Sequence, residues 1–183
     1  MSGSTLFKSL PNLITVGRLI LVPLVIAMIT AQQWMLAFVL FVVAGVSDGI
    51  DGFLARRFSL RTELGAYLDP LADKALLMSI YVTLAIEGIL PGAMAILVVS
   101  RDLMILGAIV VSWVLDKPVE IRPLPVSKAN TLAQISLAAL VLGAKAFGLG
   151  LDGWLGAMIA VVATLTLASM AAYLSQWFKH MSA

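Results

Sequence analysis

Four carboxylates, Asp48, Asp51, Asp69 and Asp73, fall inside two stretches that are otherwise apolar enough to lie in a bilayer. An ionised carboxylate at bilayer depth costs about 3 kcal/mol or more unless compensated, so such residues mark sites. Asp48, Asp51, Gly52, Ala55 and Arg56 recur at i, i+3, i+4, i+7 and i+8, which is one face of a helix. Gly65, Asp69 and Asp73 form a second stripe at i, i+4 and i+8. Antiparallel pairing of the two helices sets these stripes face to face. Two carboxylates from each side would then hold one or two hard, oxygen-seeking cations, Mg²⁺ or Mn²⁺. Two such ions ~3.5–4 Å apart can clamp a diphosphate and stabilise in-line displacement at phosphorus.

The neighbouring small residues have two readings. Gly52, Ala55 and Gly65 either let a ligand approach the backbone or let membrane helices pack closely. Arg56 supplies a planar guanidinium fork suited to phosphate oxygens. Further along, Arg101 and Asp102 form either a mutual buried pair that fixes helix packing or a contact for substrate. Lys128 either snorkels to the interface or binds a phosphodiester. Arg122, in a connection, is a candidate for either role.

The elements that must position these groups follow from composition. The chain has 183 residues, is 61% hydrophobic and only 12% charged, against ~25% charged in soluble domains. A transmembrane helix needs ~20 mostly apolar residues. Six stretches meet that length: Leu13–Ala31, Trp34–Phe58, Leu64–Glu87, Pro91–Leu115, Val126–Phe147 and Trp154–Phe178. The expected fold is therefore an all-α, polytopic membrane protein of six transmembrane helices, forming one domain over residues 1–183. Leu6, Phe7 and Leu10 with Lys8 suggest a short interfacial segment, with a helix start at Pro11-Asn12. Arg18 interrupts the first apolar stretch and five more follow, so that stretch reads as a span rather than a cleaved leader.

Composition also excludes several chemistries. The chain has no cysteine, hence no disulfide and no thiolate ligand or nucleophile. Its single histidine, His180, lies in the tail beside Lys179. Proton transfer near neutral pH therefore falls to a carboxylate or a lysine. A net charge of +2 gives no case for a nucleic-acid partner. Lys8, Arg56, Arg57, Arg61, Lys117, Arg122, Lys128 and Lys179 all fall on one side of a six-span topology. The positive-inside rule makes that side cytoplasmic, with both termini and the aspartate-bearing turns. The short amino end has no Arg/Ser-rich presequence, which favours a bacterial inner membrane.

The pattern Asp-x2-Asp-Gly-x2-Ala-Arg-x8-Gly-x3-Asp-x3-Asp, from Asp48 to Asp73, resembles the signature of the CDP-alcohol phosphotransferases, with all eight fixed positions filled. The Pro11-Asn12-Leu-Ile-Thr15-Val-Gly-Arg18 entry is similar to that of the family's phospholipid-making members. The resemblance implies a dimeric membrane enzyme with two metals on Asp48, Asp51, Asp69 and Asp73. It implies CDP contacts from Asp48, Gly52, Ala55, Arg56, Gly65 and Asp69, and makes Asp73 the general base. The implied reaction moves the phosphatidyl group of CDP-diacylglycerol to an alcohol and releases CMP.

Two branches share the motif around Arg101. Phosphatidylglycerolphosphate synthases typically carry a second arginine eight residues later, where this chain has Ile109. Their acceptor, glycerol 3-phosphate, bears a near-dianionic phosphate that calls for several cations. Ser100-Arg-Asp-Leu-Met-Ile105, with Arg122, Pro125 and Ser127-Lys-Ala-Asn-Thr131, instead resembles mitochondrial-type cardiolipin synthases. Their acceptor is the monoanionic phosphatidylglycerol. The expected product is therefore cardiolipin, with phosphatidylglycerol phosphate as the alternative. A membrane prenyltransferase also holds Mg²⁺-diphosphate on paired aspartates but lacks the Gly-x2-Ala-Arg-x8-Gly grammar. A cation transporter would use the aspartates as an ion path and release no CMP.

Overall fold

In a computed structural model the chain forms six helices: α1 Gly3–Thr30, α2 Trp34–Phe58, α3 Glu63–Ile86, α4 Gly92–Val114, α5 Pro125–Ala146 and α6 Leu155–Met181. The backbone is described for residues 3–58, 63–115, 124–151 and 153–181, and side chains for 17–49, 74–108, 110–112, 114–115, 124–151 and 153–181. No strand occurs among the described residues. α2 spans the expected range, and the ends of α3 to α5 fall within one residue of those read from the sequence. Proline and glycine set these limits. Pro125 occupies the first turn of α5, where its missing N–H costs nothing. Gly88 and Gly148 turn the chain out of α3 and α5 with φ of 70° and 65°, a conformation open to glycine without steric cost.

The amino end differs from the expected break at Pro11-Asn12. α1 begins at Gly3 and runs through Pro11, so the amino-terminal segment is continuous with the first span. A proline inside a helix removes one backbone hydrogen bond, which the turns on either side here outlast.

The distribution of polarity is that of a protein in lipid. Large apolar side chains cover the outside, among them Ile20, Ile86, Ile96, Val114 and Leu132, each more than half exposed. Arg18, Arg101, Asp102, Asn130 and Gln134 are buried. Water would favour the reverse arrangement, and an apolar exterior on this scale marks a membrane contact. Gly92–Ser112, Pro125–Ala146 and Leu155–Met181 are each long and apolar enough to cross a membrane. The described apolar parts of the first three helices, Gly17–Thr30, Trp34–Gly49 and Lys74–Ile86, are shorter. The chain is accordingly an all-α membrane protein.

Packing divides the bundle into an apolar end and a polar end. Val25, Ile29, Phe41, Ile80, Leu84, Leu90, Met94, Val98, Leu137, Val141 and Val162 form one buried cluster. α1 packs on both α2 and α3, while α5 joins α2 to α6 and α4 lies between α3 and α6. Gly143 lets α5 approach α2 closely, since a Cβ there would stand 3.3 Å from the Phe38 ring. Tyr81 ties α3 to α5 by donating its hydroxyl to the Gln134 carbonyl at 3.0 Å. Trp177 ties α6 to α4 through an indole hydrogen bond to Ser112 Oγ at 2.8 Å.

Candidate active site

Every helix contributes a polar residue to one level of the bundle. There, a cavity of about 460 Å³ is lined by Arg18 of α1, Asp48 of α2, Lys74 of α3, Arg101 and Asp102 of α4, and Thr131 and Gln134 of α5. Phe41, Ala44, Leu76, Leu77 and Ile135 supply an apolar remainder. α6 closes the level from behind with Thr166, Ser169 and Tyr173.

Asp48, the first aspartate of the motif, is held at the cavity wall by Arg18. Arg18 Nη1 donates to Asp48 Oδ1 at 2.8 Å, with the arginine side chain 1% and the aspartate 46% exposed. Arg18 is stretched out of an apolar helix face to reach a carboxylate thirty residues away. The sequence marks it as an interruption of the first span and as the end of the family-like Pro11–Arg18 entry, but does not point to Asp48. Its pairing in space has no signature in local spacing.

Arg101 is anchored on all of its nitrogens. Nη1 donates to Asp102 Oδ1 at 2.5 Å, Nη2 to Ser127 Oγ and, at 3.1 Å, to Ser169 Oγ, and Nε to Ser169 Oγ at 3.3 Å. The guanidinium also lies over the Tyr173 ring, 5.8 Å from its centroid. Asp102 Oδ1 in turn accepts from Lys74 Nζ at 3.4 Å. Arg101 and Asp102 thus form the mutual buried pair that was one of the two readings of the sequence, and they also line the cavity. Desolvating two charges is tolerable because each has several partners. Among the described lining residues, three cations face two carboxylates, so that part of the wall carries one positive charge in excess.

A neutral seam runs along the α5–α6 contact. Ser127, Asn130 and Gln134 recur at i, i+3 and i+7 on α5 and are all buried. Gln134 Nε2 donates to Thr166 Oγ1 at 3.3 Å, and that hydroxyl lies 2.8 Å from Asn130 Oδ1 and 2.7 Å from the Val162 carbonyl. The sequence marks Asn130 only within the cardiolipin synthase-like run Ser127–Thr131, and gives Gln134, Thr166 and Ser169 no site role. The spacing on α5 was a usable signal. Hydroxyls on α6 look the same as ordinary packing residues until their partners are known.

Of the other residues expected in the site, Lys128 is exposed on α5 and is not among the cavity-lining residues. Asp51, Gly52, Ala55 and Arg56 lie on α2, and Gly65, Asp69 and Asp73 on α3, with their side chains outside the described residues. Arg122 and the side chain of Ile109 also lie outside them. No cluster of three or more metal-binding side chains occurs among the described residues.

The donor chemistry nonetheless fits a hard divalent cation. The motif supplies carboxylate oxygens alone, and its one described member keeps a half-exposed carboxylate at the cavity wall. A wall with spare positive charge beside helices rich in aspartate suits an anionic ligand carried with metal ions.

Residues 8–175 match the model of the CDP-alcohol phosphatidyltransferases. The chain belongs to that family. It is 33% identical over 189 residues to a rice protein named chloroplastic CDP-diacylglycerol–glycerol-3-phosphate 3-phosphatidyltransferase 1, covering 93% of this chain and 57% of that one. It is 30% identical over 181 residues to human CMP-forming cardiolipin synthase, covering 90% and 60%. A CDP-diacylglycerol–glycerol-3-phosphate 3-phosphatidyltransferase of Rickettsia typhi is 29% identical over 146 residues, covering 78% and 81%. The chain thus spans less than two thirds of the length of the rice and human relatives. Family members of both acceptor types stand at similar distances, so overall similarity does not separate the two acceptors.

Proposed function

We propose that this chain transfers the phosphatidyl group of CDP-diacylglycerol to an alcohol and releases CMP. The observation that carries this reading is the placement of Asp48, with Arg18, Lys74, Arg101 and Asp102, in the wall of one cavity at the polar end of a family member. The diphosphate would lie against the Asp48, Asp51, Asp69 and Asp73 turns, with Arg56 on a phosphate oxygen and Gly52, Ala55 and Gly65 leaving room for the nucleotide. Mg²⁺ or Mn²⁺ ions on the four aspartates would supply charge neutralisation at the diphosphate.

Within that frame the chain's own residues carry the proton and the orientation. Asp73 accepts the proton of the acceptor hydroxyl. The acceptor oxygen forms a bond to the phosphorus next to the diacylglycerol, and the bond from that phosphorus to the bridging oxygen breaks. CMP departs with that oxygen. Arg18 fixes Asp48, and the Arg101–Asp102–Lys74 chain keeps a cation at the wall where the anionic acceptor enters. Arg122 and Lys128 are candidates for guiding the acceptor from the surface.

The acceptor we infer is phosphatidylglycerol, giving cardiolipin. On the Arg18, Lys74, Arg101 and Asp102 side of the cavity the described groups leave few unpaired cations, which suits a monoanionic diester better than a near-dianionic monoester. The second reading, glycerol 3-phosphate, is favoured by the names of the rice and Rickettsia relatives. The protein is inferred to be a homodimer in a bacterial inner membrane, with its termini and aspartates on the cytoplasmic side. Offering phosphatidylglycerol and glycerol 3-phosphate separately with CDP-diacylglycerol, and weighing the lipid product by mass spectrometry, tests the acceptor. Cardiolipin supports it. A clear preference for glycerol 3-phosphate overturns it.

A further inference from the structure

The described charged groups of the cavity wall all take part in ion pairs, but one buried neutral group is only half used. Gln134 is 1% exposed and lines the cavity. One end of its amide is fixed to Thr166. That is the one hydrogen bond its side chain makes among the described residues, in a residue that lines the cavity. Its backbone is fixed as well, by the Tyr81 hydroxyl on its carbonyl. Behind it Asn130 is fully buried, with Nδ2 lacking a hydrogen-bond partner among the described residues. Polar amides inside a bilayer protein are costly without full satisfaction, so a partly satisfied pair of them calls for a further partner.

The position suits an acceptor rather than the nucleotide. Lys74, which contacts Asp102, and Tyr81, which contacts Gln134, are separated by seven residues of α3, a rise of about 10 Å. The Gln134 side chain leans toward the amino end of α5, back toward Asn130 and Ser127, so its amide lies between those two levels. A neutral amide selects a neutral hydrogen-bonding group, such as a hydroxyl. Both acceptors considered above end in the same unit, a terminal 1,2-diol in which the primary hydroxyl reacts and the secondary one does not.

We propose that Gln134, braced by Thr166 and Asn130, is a specificity-determining residue that hydrogen-bonds the secondary hydroxyl of the acceptor's terminal diol. Holding that hydroxyl orients the neighbouring primary one toward phosphorus, so the contact governs which alcohols react. The inference rests on the phosphatidyl-transfer reading and holds for either acceptor.

The test compares acceptors that differ by that single hydroxyl. The purified full chain receives CDP-diacylglycerol with glycerol 3-phosphate or 3-hydroxypropyl phosphate, and with phosphatidylglycerol or phosphatidyl-1,3-propanediol, and kcat/KM is read from CMP release. The wild-type protein should prefer the diol of its active pair about ten- to a hundredfold, the cost of leaving one buried hydrogen-bonding group unpaired. Gln134→Met, close in volume, should erase most of that preference by lowering kcat/KM on the diol far more than on the deoxy acceptor. Thr166→Val should reduce the preference severalfold. Equal losses on both acceptors would mean a structural role and overturn the inference, as would wild-type protein that treats diol and deoxy acceptors alike. Absence of CMP release with all four acceptors would overturn the phosphatidyl-transfer reading and this inference with it.

Discussion

Asp102→Ala should be among the most damaging single changes to the stability of this bundle. Asp102 and Arg101 are each 5% exposed in their side chains, and Asp102 Oδ1 receives both the Arg101 guanidinium and the Lys74 ammonium. Truncation leaves Arg101 buried without a counter-charge, a situation that costs about 3–5 kcal/mol in buried pairs. Ser127, Ser169 and the face of Tyr173 remain on the guanidinium. They soften the loss toward the lower end of that range, about 3 kcal/mol. Asp102→Asn keeps an acceptor oxygen and should lose less, about 1–2 kcal/mol. Replacing both charges, in Arg101→Met with Asp102→Leu, should recover stability to within about 1 kcal/mol of the wild type, because no fully buried charge is stranded and Lys74, 28% exposed, can still be solvated. Denaturant titration of the three variants in detergent micelles, followed by far-ultraviolet circular dichroism, measures these differences. A loss below about 1 kcal/mol for Asp102→Ala, or a double variant less stable than Asp102→Ala, would refute the reasoning.

Other changes read the site more directly. Asp73→Asn should lower turnover at least a hundredfold, the lower bound usual for a general base, while CDP-diacylglycerol binding measured by equilibrium dialysis stays within a few-fold. Chelation should abolish activity and added Mg²⁺ or Mn²⁺ should restore it. Asp51→Asn should move that titration to higher metal concentration, and an unchanged titration would remove Asp51 from the ligand set. Tyr81→Phe deletes one hydrogen bond to the Gln134 carbonyl and should cost about 1 kcal/mol of stability, visible as a shift in the same denaturant midpoint.

The helices were legible in the sequence because their ends are punctuated by residues with strong local preferences. Pro125 opens α5, and Gly88 and Gly148 close α3 and α5, within a residue of where pattern reading puts them. Pro11 misled for the same reason. A strong local signal was overridden, and α1 continues through it. The family was legible because the aspartate motif puts charge in an apolar stretch, which is rare, and residues 8–175 match the family model. Arg18 was visible as an anomaly but its partner was not, since the Arg18–Asp48 pair joins two helices and depends on their packing. The α5–α6 seam was hidden for a different reason. Serine, threonine and glutamine carry no charge, so burying them raises little alarm in a composition count. Only the hydrogen bonds among Gln134, Thr166 and Asn130 distinguish them from helix glue.

Reconstitution of the purified protein in liposomes with CDP-diacylglycerol tests the central claim most directly, with CMP and lipid products followed together as an alcohol is added. The account predicts one CMP released for each phosphatidylated alcohol formed, and none when either the alcohol or the divalent metal is withheld. CMP release independent of any alcohol, or cation flux across the liposomes with no CMP at all, would contradict it.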